Sequence, residues 1–342
     1  MIIKKVKAWK IKDSRGEPTI EVMVKTDNGK FYASAPSGAS KGKKEVMAFP
    51  KDGVKKSVDF VNKTLRNELH GLKIEKFNDL EKVEKIINKY DKTENLSIVG
   101  GDTVIAVEYA ILKALAKGQL WSFLNPNAKQ LPRPLGNVIG GGMHVKSEDR
   151  TDFQEFLLLS LNTSDIVTAV LANYRIWKLA GKELRKPKKT DEGAWAPSLS
   201  TEEILDILTK VVKDISKEMK IDIKIGIDMA ASHLFNGKEY VYKNKKLNRK
   251  QQIEYVENLI HKYDLVYVED PLEEEDFKGF AELTKKVKNR CLIAADDLVC
   301  TNPKYLKIAI KNKAINALIV KPNQIGSLIK TKEVIDLAKK NH

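Results

Sequence analysis

Four short apolar runs each close on a single charged residue: Lys224-Ile-Gly-Ile-Asp228, Leu265-Val-Tyr-Val-Glu269, Leu292-Ile-Ala-Ala-Asp296 and Ala317-Leu-Ile-Val-Lys321. The charges fall at positions 228, 269, 296 and 321, at intervals of 41, 27 and 25 residues. Three carboxylates delivered to one point repel one another unless a cation lies between them. A hard divalent ion with octahedral oxygen coordination, Mg²⁺, satisfies Asp228, Glu269 and Asp296 and leaves positions for substrate oxygens. Taken singly, each acid is more simply a helix cap or the partner of a surface lysine. Three of them at successive strand ends argue for a shared ion. Lys321 closes the next run, and burial beside bound cations would disfavour its ammonium form and make it a base. Bringing its pKa from about 10.4 to near 7 requires roughly 4 to 5 kcal/mol. A lone lysine at a strand end is as readily a snorkelling side chain.

The elements that must position these groups are legible in the patterning. Intervals of this size hold about one strand and one helix each, and alternating β and α units argue for a parallel sheet. In a (β/α)₈ barrel the C-terminal strand ends converge on one face, whereas a doubly wound sheet would spread the four groups along a line. The barrel is favoured. Ser200-Thr-Glu-Glu203 reads as a capping box opening one of its helices. Ahead of it stands a smaller α+β unit. Ile3 to Ile11 and Thr19 to Thr26 alternate as strands, and Asp27-Asn28-Gly29 turns the chain back into Lys30 to Ala35. Helical periodicity follows over 54–69, 76–90 and 102–116. The proline-bearing stretch Asn125 to Pro134 marks the boundary, giving an N-terminal α+β domain over 1–125 and a barrel domain over 132–342.

Composition removes other classes of function. No apolar run approaches the roughly 20 residues of a membrane span, and no leader pattern is visible at the N-terminus. Cys291 and Cys300 have neither a disulfide framework nor zinc-site spacing. The expected location is the cytoplasm. A net charge of +15 invites a nucleic-acid partner, yet the lysines are scattered from Lys4 to Lys340 with no basic tract among aromatics. They read as a solvated surface, and neither membrane nor nucleic acid is expected as a partner.

The ordered set of motifs resembles the enolase family over nearly the whole chain. It comprises Asp13-Ser-Arg-Gly-Glu-Pro-Thr-Ile-Glu-Val22, Ser37-Gly-Ala-Ser-Lys-Gly42, Asn137-Val-Ile-Gly-Gly-Gly-Met-His144, Gln154-Glu-Phe156 and Asp191-Glu-Gly-Ala-Trp-Ala-Pro197. It continues with Ile227-Asp228, Glu269-Asp-Pro271, Asp296-Asp-Leu298 and Lys321-Pro-Asn-Gln-Ile-Gly326. The resemblance implies a hydro-lyase of glycolysis and gluconeogenesis, dehydrating 2-phosphoglycerate to phosphoenolpyruvate with two Mg²⁺ per site. It implies Asp228, Glu269 and Asp296 as ligands of the first ion, and Ser40, in a closing loop, as a ligand of the second. Lys321 would take the C2 proton, and a lysine base with Mg²⁺ is the arrangement of enolase-superfamily sites. Glu192 would be the acid for the C3 hydroxyl, aided by Glu155, with Gln154 and His144 at the substrate. His70, His233, His261 and His342 receive no role. A homodimer or larger even-numbered assembly is implied as well.

Some positions depart from the family pattern: Glu17, Lys41, Thr190, Ala194 and Pro322. Thr190 and Ala194 replace glycines flanking the Glu192 turn, where a Cβ restricts the backbone. Pro322 removes one N–H beside the base. After Ile325-Gly326 one amphipathic segment runs to Lys340, so the barrel is expected to be incomplete, without its last two βα units and the family's Ser-His-Arg-Ser segment. Two alternatives stay open from sequence: a non-catalytic enolase-like protein, and one half of a split enzyme that needs a second chain.

Overall fold

The computed structural model describes residues 1–38, 41–146, 150–163, 165–185 and 187–342. Two compact units emerge. The first comprises Met1–Lys129, Cys300–Leu306 and Val320–His342; the second comprises Gln130–Val299 and Lys307–Ile319.

In the first unit, β1 (Ile3–Lys12), β2 (Pro18–Thr26) and β3 (Gly29–Ser34) form an antiparallel sheet in that order. Alternation places Val6, Ala8, Ile20, Val22 and Val24 in the core. Helices α1 (Val54–Phe60) and α2 (Arg66–Glu68) are joined by a π-helical turn, and α3 (Leu80–Ile87), α4 (Gly101–Leu115) and α5 (Leu120–Leu124) follow. The segment 54–69 is therefore one interrupted helix, not a regular one. Helix α4 packs on β2 and β3 and is buried along most of its length. It starts from Gly100, whose φ of 88° belongs almost solely to glycine, and an added Cβ there would lie 2.6 Å from the Ala48 carbonyl oxygen. Gly100→Ala therefore combines backbone strain of about 1–2 kcal/mol with overpacking of about 1–3 kcal/mol. A loss of roughly 2–5 kcal/mol in urea denaturation is expected, and a loss below about 1 kcal/mol would show that the turn can reshape.

The second unit contains β4 (Leu135–Gly140), β5 (Glu155–Ser160), α6 (Ile166–Glu183), β6 (Lys188–Lys189), β7 (Trp195–Ala196), α7 (Thr201–Met219) and β8 (Ile223–Asp228). The chain continues through the hairpin β9 (Tyr240–Val241) and β10 (Lys246–Leu247), then α8 (Arg249–Tyr263), β11 (Tyr267–Glu269), α9 (Phe277–Val287), β12 (Leu292–Ala295), α10 (Pro303–Asn312) and β13 (Ala317–Leu318). Helices α11 (Pro322–Ile325) and α12 (Leu328–Lys340), which belong to the first unit, follow in the chain. The capping box is present: Ser200 Oγ accepts from the Glu203 N–H at 3.3 Å, and the Ser200 N–H donates to Glu203 Oε2 at 2.8 Å. Apolar stripes such as Ile204, Leu208 and Val211 on α7, and Ile253, Val256 and Ile260 on α8, are buried at helical spacing.

Eight strands form one sheet in the order β13-β12-β11-β8-β5-β4-β7-β6, with β13 and β6 as edges. This is an incomplete barrel. The four charge-tipped runs lie on β8, β11, β12 and β13, which pair in parallel as expected. The expectation of a parallel sheet fails at β5, which runs antiparallel to both β4 and β8. The reason is local. Among its described residues the segment 141–154, which links β4 to β5, forms no α-helix, only the 3₁₀ turn Gly142–His144, and a parallel return usually crosses over through a helix.

Candidate active site

The reversal of β5 builds the site. Because β5 runs against its neighbours, its first residue lies where β4 and β8 end: Glu155 pairs with Gly140 on one side and with Asp228 on the other. A residue at a strand start thus joins residues at strand ends. Gln154, one position earlier, donates its backbone N–H to the Asp228 carbonyl at 3.0 Å and its side-chain Nε2–H to Asp228 Oδ2 at 2.8 Å.

Asp228, Glu269 and Ala294 stand side by side in register on β8, β11 and β12, and Asp296 follows one residue past the end of β12. The structure therefore brings the three expected acids to neighbouring strand ends. Burial pushes the Asp228 carboxyl well above the ordinary range, and the negative charges of Glu269, Glu155 and Asp270 push it further. The Ala230 N–H, bonded to Asp228 Oδ1 at 2.9 Å, pulls the other way. Glu269 accepts the Tyr267 hydroxyl. A carboxyl pushed up by burial and by acidic neighbours is the arrangement that a divalent cation relieves, since the ion reverses the sign of the local field. The donor set fits Mg²⁺: it is all oxygen and comes from rigid strand ends.

Beside these acids, His144, Glu155 and Glu192 offer ligand atoms that all lie within 4.8 Å of one another. His144 Nδ1 is 3.6 Å from Glu155 Oε1 and 3.7 Å from Glu192 Oε2, and it is buried without a hydrogen-bond partner among the described residues. Three elements deliver the group: the 3₁₀ turn after β4, the start of β5, and the turn between β6 and β7. Asn137 Nδ2–H reaches Glu192 Oε2 at 3.4 Å. It sits where the β4–β5 register slips by one residue, a bulge that re-aims the side chain. Mg²⁺ favours all-oxygen donors, so this mixed nitrogen and oxygen set fits proton transfer between two carboxylates and an imidazole better than it fits that ion.

Lys321 belongs to the first unit. It is the N-cap of α11, and its backbone N–H donates to Thr301 Oγ1 at 2.8 Å. Its side chain is exposed, so the burial invoked from sequence is not seen at this residue. Pro322 is harmless where it stands. It opens α11, where its missing N–H would have lacked a helical partner in any case. Ser40 lies outside the described residues.

Sequence reasoning missed Asp270. Its buried carboxylate accepts the backbone N–H groups of Asp296 at 3.1 Å and Asp297 at 2.9 Å, so it sets the strand end that presents Asp296. Its φ of 41° is uncommon outside glycine, and Ala230, two residues after Asp228, has 42°. The available signal was the second acid of Glu269-Asp-Pro271, which carries no role in the sequence reading. Asn137 likewise stands in the Asn137–His144 motif with no role of its own from sequence.

Comparison with known proteins identifies the family of both parts of the chain. The family model "Enolase, N-terminal domain" matches residues 3–124, and "Enolase, C-terminal TIM barrel domain" matches residues 128–342. The enolase of Methanothermobacter thermautotrophicus is 41% identical over 354 residues, covering 99% of this chain and 84% of the relative. That of Methanosphaera stadtmanae is 40% identical with the same coverage, and that of Pyrobaculum aerophilum is 40% identical over 97% of this chain and 83% of its own. With both domains matched and the acids of β8, β11 and β12 gathered at one end of the sheet, the chain belongs to the enolase family.

Proposed function

We propose that this protein catalyses the reversible, Mg²⁺-dependent dehydration of 2-phosphoglycerate to phosphoenolpyruvate. The observation that carries the reading is the register of Asp228 with Glu269, beside the group formed by His144, Glu155 and Glu192. Asp228, Glu269 and Asp296 would hold one Mg²⁺, and Ser40 would ligate a second. When bound, the ions neutralise the carboxylates and stabilise negative charge developing on the substrate. Lys321 removes the proton from C2, and the electron pair of that C–H bond becomes the C2–C3 double bond. Glu192 donates a proton to the C3 hydroxyl, which leaves as water. Glu155 shares the His144 imidazole with Glu192, and the Gln154 amide orients Asp228 while its own face meets substrate. The family supports a homodimer or larger even assembly working in the cytoplasm. Among the described residues no helix is long and apolar enough to cross a membrane.

Removing the metal tests the assignment. Purified protein stripped with EDTA should lose phosphoenolpyruvate formation, regain it on adding Mg²⁺, and fail to regain it as Asp228→Asn. Binding isotherms should show Mg²⁺ affinity of Asp228→Asn at least 10-fold below wild type, because one anionic ligand of three is gone. Full activity without a divalent ion, or unchanged Mg²⁺ affinity in Asp228→Asn, would overturn it.

A further inference from the structure

We propose that Trp177 is a positioning residue for Glu192, acting as the floor of a clamp that holds the β6–β7 turn. The inference rests on the reading of Glu192 as the acid for the C3 hydroxyl. In place of flanking glycines this turn has Thr190 and Ala194, and the structure shows what those side chains do. Thr190 N–H donates to the Ala194 carbonyl at 2.8 Å, Gly193 N–H to the Thr190 carbonyl at 3.1 Å, and Ala194 N–H to Thr190 Oγ1 at 3.2 Å. The Thr190 methyl fills the notch left by Gly140, where a Cβ would come within 2.6 Å of it. The turn is closed on itself by its own side chain.

Helix α6 then fastens that turn from outside. Trp177 Nε1–H donates to the Gly193 carbonyl at 3.0 Å, one residue from Glu192, and Trp195 Nε1–H donates back to the Trp177 carbonyl at 2.8 Å. The two indoles stack with centroids 4.8 Å apart and planes 19° from parallel. Lys189 Nζ lies 4.4 Å from the Trp177 ring centre and 4.8 Å from that of Trp195, within cation–π range of both. Trp195 can approach the helix because Gly181 leaves room; a Cβ there would stand 2.4 Å from the indole. The strands on either side of the turn, β6 and β7, are two residues each, too short to hold it by pairing alone. Reciprocal indole bonds at Gly193 and Trp195, on the C-terminal side of Glu192, therefore substitute for sheet, and they fix the backbone from which Glu192 reaches Asn137 and His144.

The test separates the two half-reactions. Hydroxyl loss is measured as phosphoenolpyruvate formation, and C2 proton abstraction as solvent deuterium entering 2-phosphoglycerate. Trp177→Leu removes both ring and donor, while Trp177→Phe keeps a stacked ring and loses only the N–H. We expect hydroxyl loss to fall at least 10-fold in Trp177→Leu and by an intermediate factor in Trp177→Phe, with C2 exchange within about 2-fold of wild type and KM little changed. Amide hydrogen exchange at Gly193 and Ala194 should accelerate at least 10-fold in Trp177→Leu, a readout that needs no turnover. Unchanged amide exchange, or hydroxyl loss and C2 exchange falling by equal factors, would overturn the proposal. If Trp177→Leu does not fold, Trp177→Phe decides by the same criteria. Glu192→Gln is the control for the reading beneath it: undiminished hydroxyl loss in that variant refutes Glu192 as the acid, and amide exchange then still reports whether Trp177 holds the turn.

Discussion

Lys321→Ala should abolish deuterium exchange at C2 of 2-phosphoglycerate, lowering it about 10⁴-fold, whereas Glu192→Gln should leave exchange near wild type and stop loss of the hydroxyl. The first figure is the upper range for removing a general base, roughly 5.4 kcal/mol of barrier. The contrast comes from the order of events. In the proposed mechanism the proton leaves C2 before the hydroxyl departs, so a protein without the acid would still reach the deprotonated state and return from it. Because the Lys321 side chain is exposed, its removal should shift the unfolding midpoint little, and lost activity then reports chemistry instead of lost structure. Equal loss of both half-reactions in the two variants would contradict the division of labour.

The second large effect is on stability, and it lies far from the metal ligands in sequence. Asp102 stands in the first turn of α4 and is only 2% exposed. Burial raises its carboxyl from 3.8 to about 7; Lys41 opposes the rise and Glu45 adds to it. The folded state therefore keeps a proton that the unfolded chain releases near pH 4. Stability is undiminished below the unfolded pKa, falls as pH rises from about 4 to about 7, and carries the full penalty above that. A shift of this size corresponds to about 4 kcal/mol. An asparagine side chain has the same shape and nothing to ionise, so Asp102→Asn should match wild type near pH 4 and exceed it by up to about 4 kcal/mol at pH 8. Attraction of a carboxylate to the helix N-terminus, about 0.3–1 kcal/mol, trims that gain. Urea denaturation of both proteins at pH 5 and pH 8 measures it. A difference between them that is independent of pH would show that Asp102 finds a compensating partner when ionised.

The surroundings of Asp102 suggest why such a cost is tolerated. A cavity of about 180 Å³ is lined by Asp102, Asp13, Arg15, Glu17, Lys41 and Glu45, in the segments that carry the N-terminal motif and the glycine-rich loop. Glu45 Oε1 accepts from the Gly42 N–H at 3.0 Å and from Gln324 Nε2 at 3.5 Å, and Gln324 Oε1 accepts the hydroxyl of Thr301 at 3.0 Å. Thr301 in turn receives the Lys321 N–H. One chain of hydrogen bonds therefore runs from the loop after residue 41 to the backbone of the assigned base. Natural proteins keep such strain where it serves a moving or reactive part.

Much of this was legible from residue types and spacing alone. Strand alternation over 3–11 and 19–26 is the direct image of one buried face, and the capping box at Ser200 reports two backbone groups satisfied by side chains three residues apart. The four charge-tipped runs were readable because apolar strands seldom end on a charge four times over unless those charges share a task. The run ending at Lys321 was over-read in one respect: β13 covers only Ala317–Leu318, and the lysine caps a helix start in place of ending a strand. The N–H that Pro322 lacks is for that reason no loss.

What the sequence by itself determined is the inventory: three acids and a lysine spaced for a barrel's strand ends, an acid-bearing turn, and an order of motifs that names the family. Tertiary structure alone decided the direction of β5, which carries Gln154 and Glu155 to Asp228 from 74 and 73 positions away. It also decided that Asp270 bonds the next strand end, and that an indole on α6 holds the turn of Glu192 from 16 residues away. The physical reason is range. Periodicity and capping follow from atoms a few bonds apart along the chain, so they are written locally. A hydrogen bond between distant segments depends on where the whole sheet has placed them, and no short stretch of residues encodes that position.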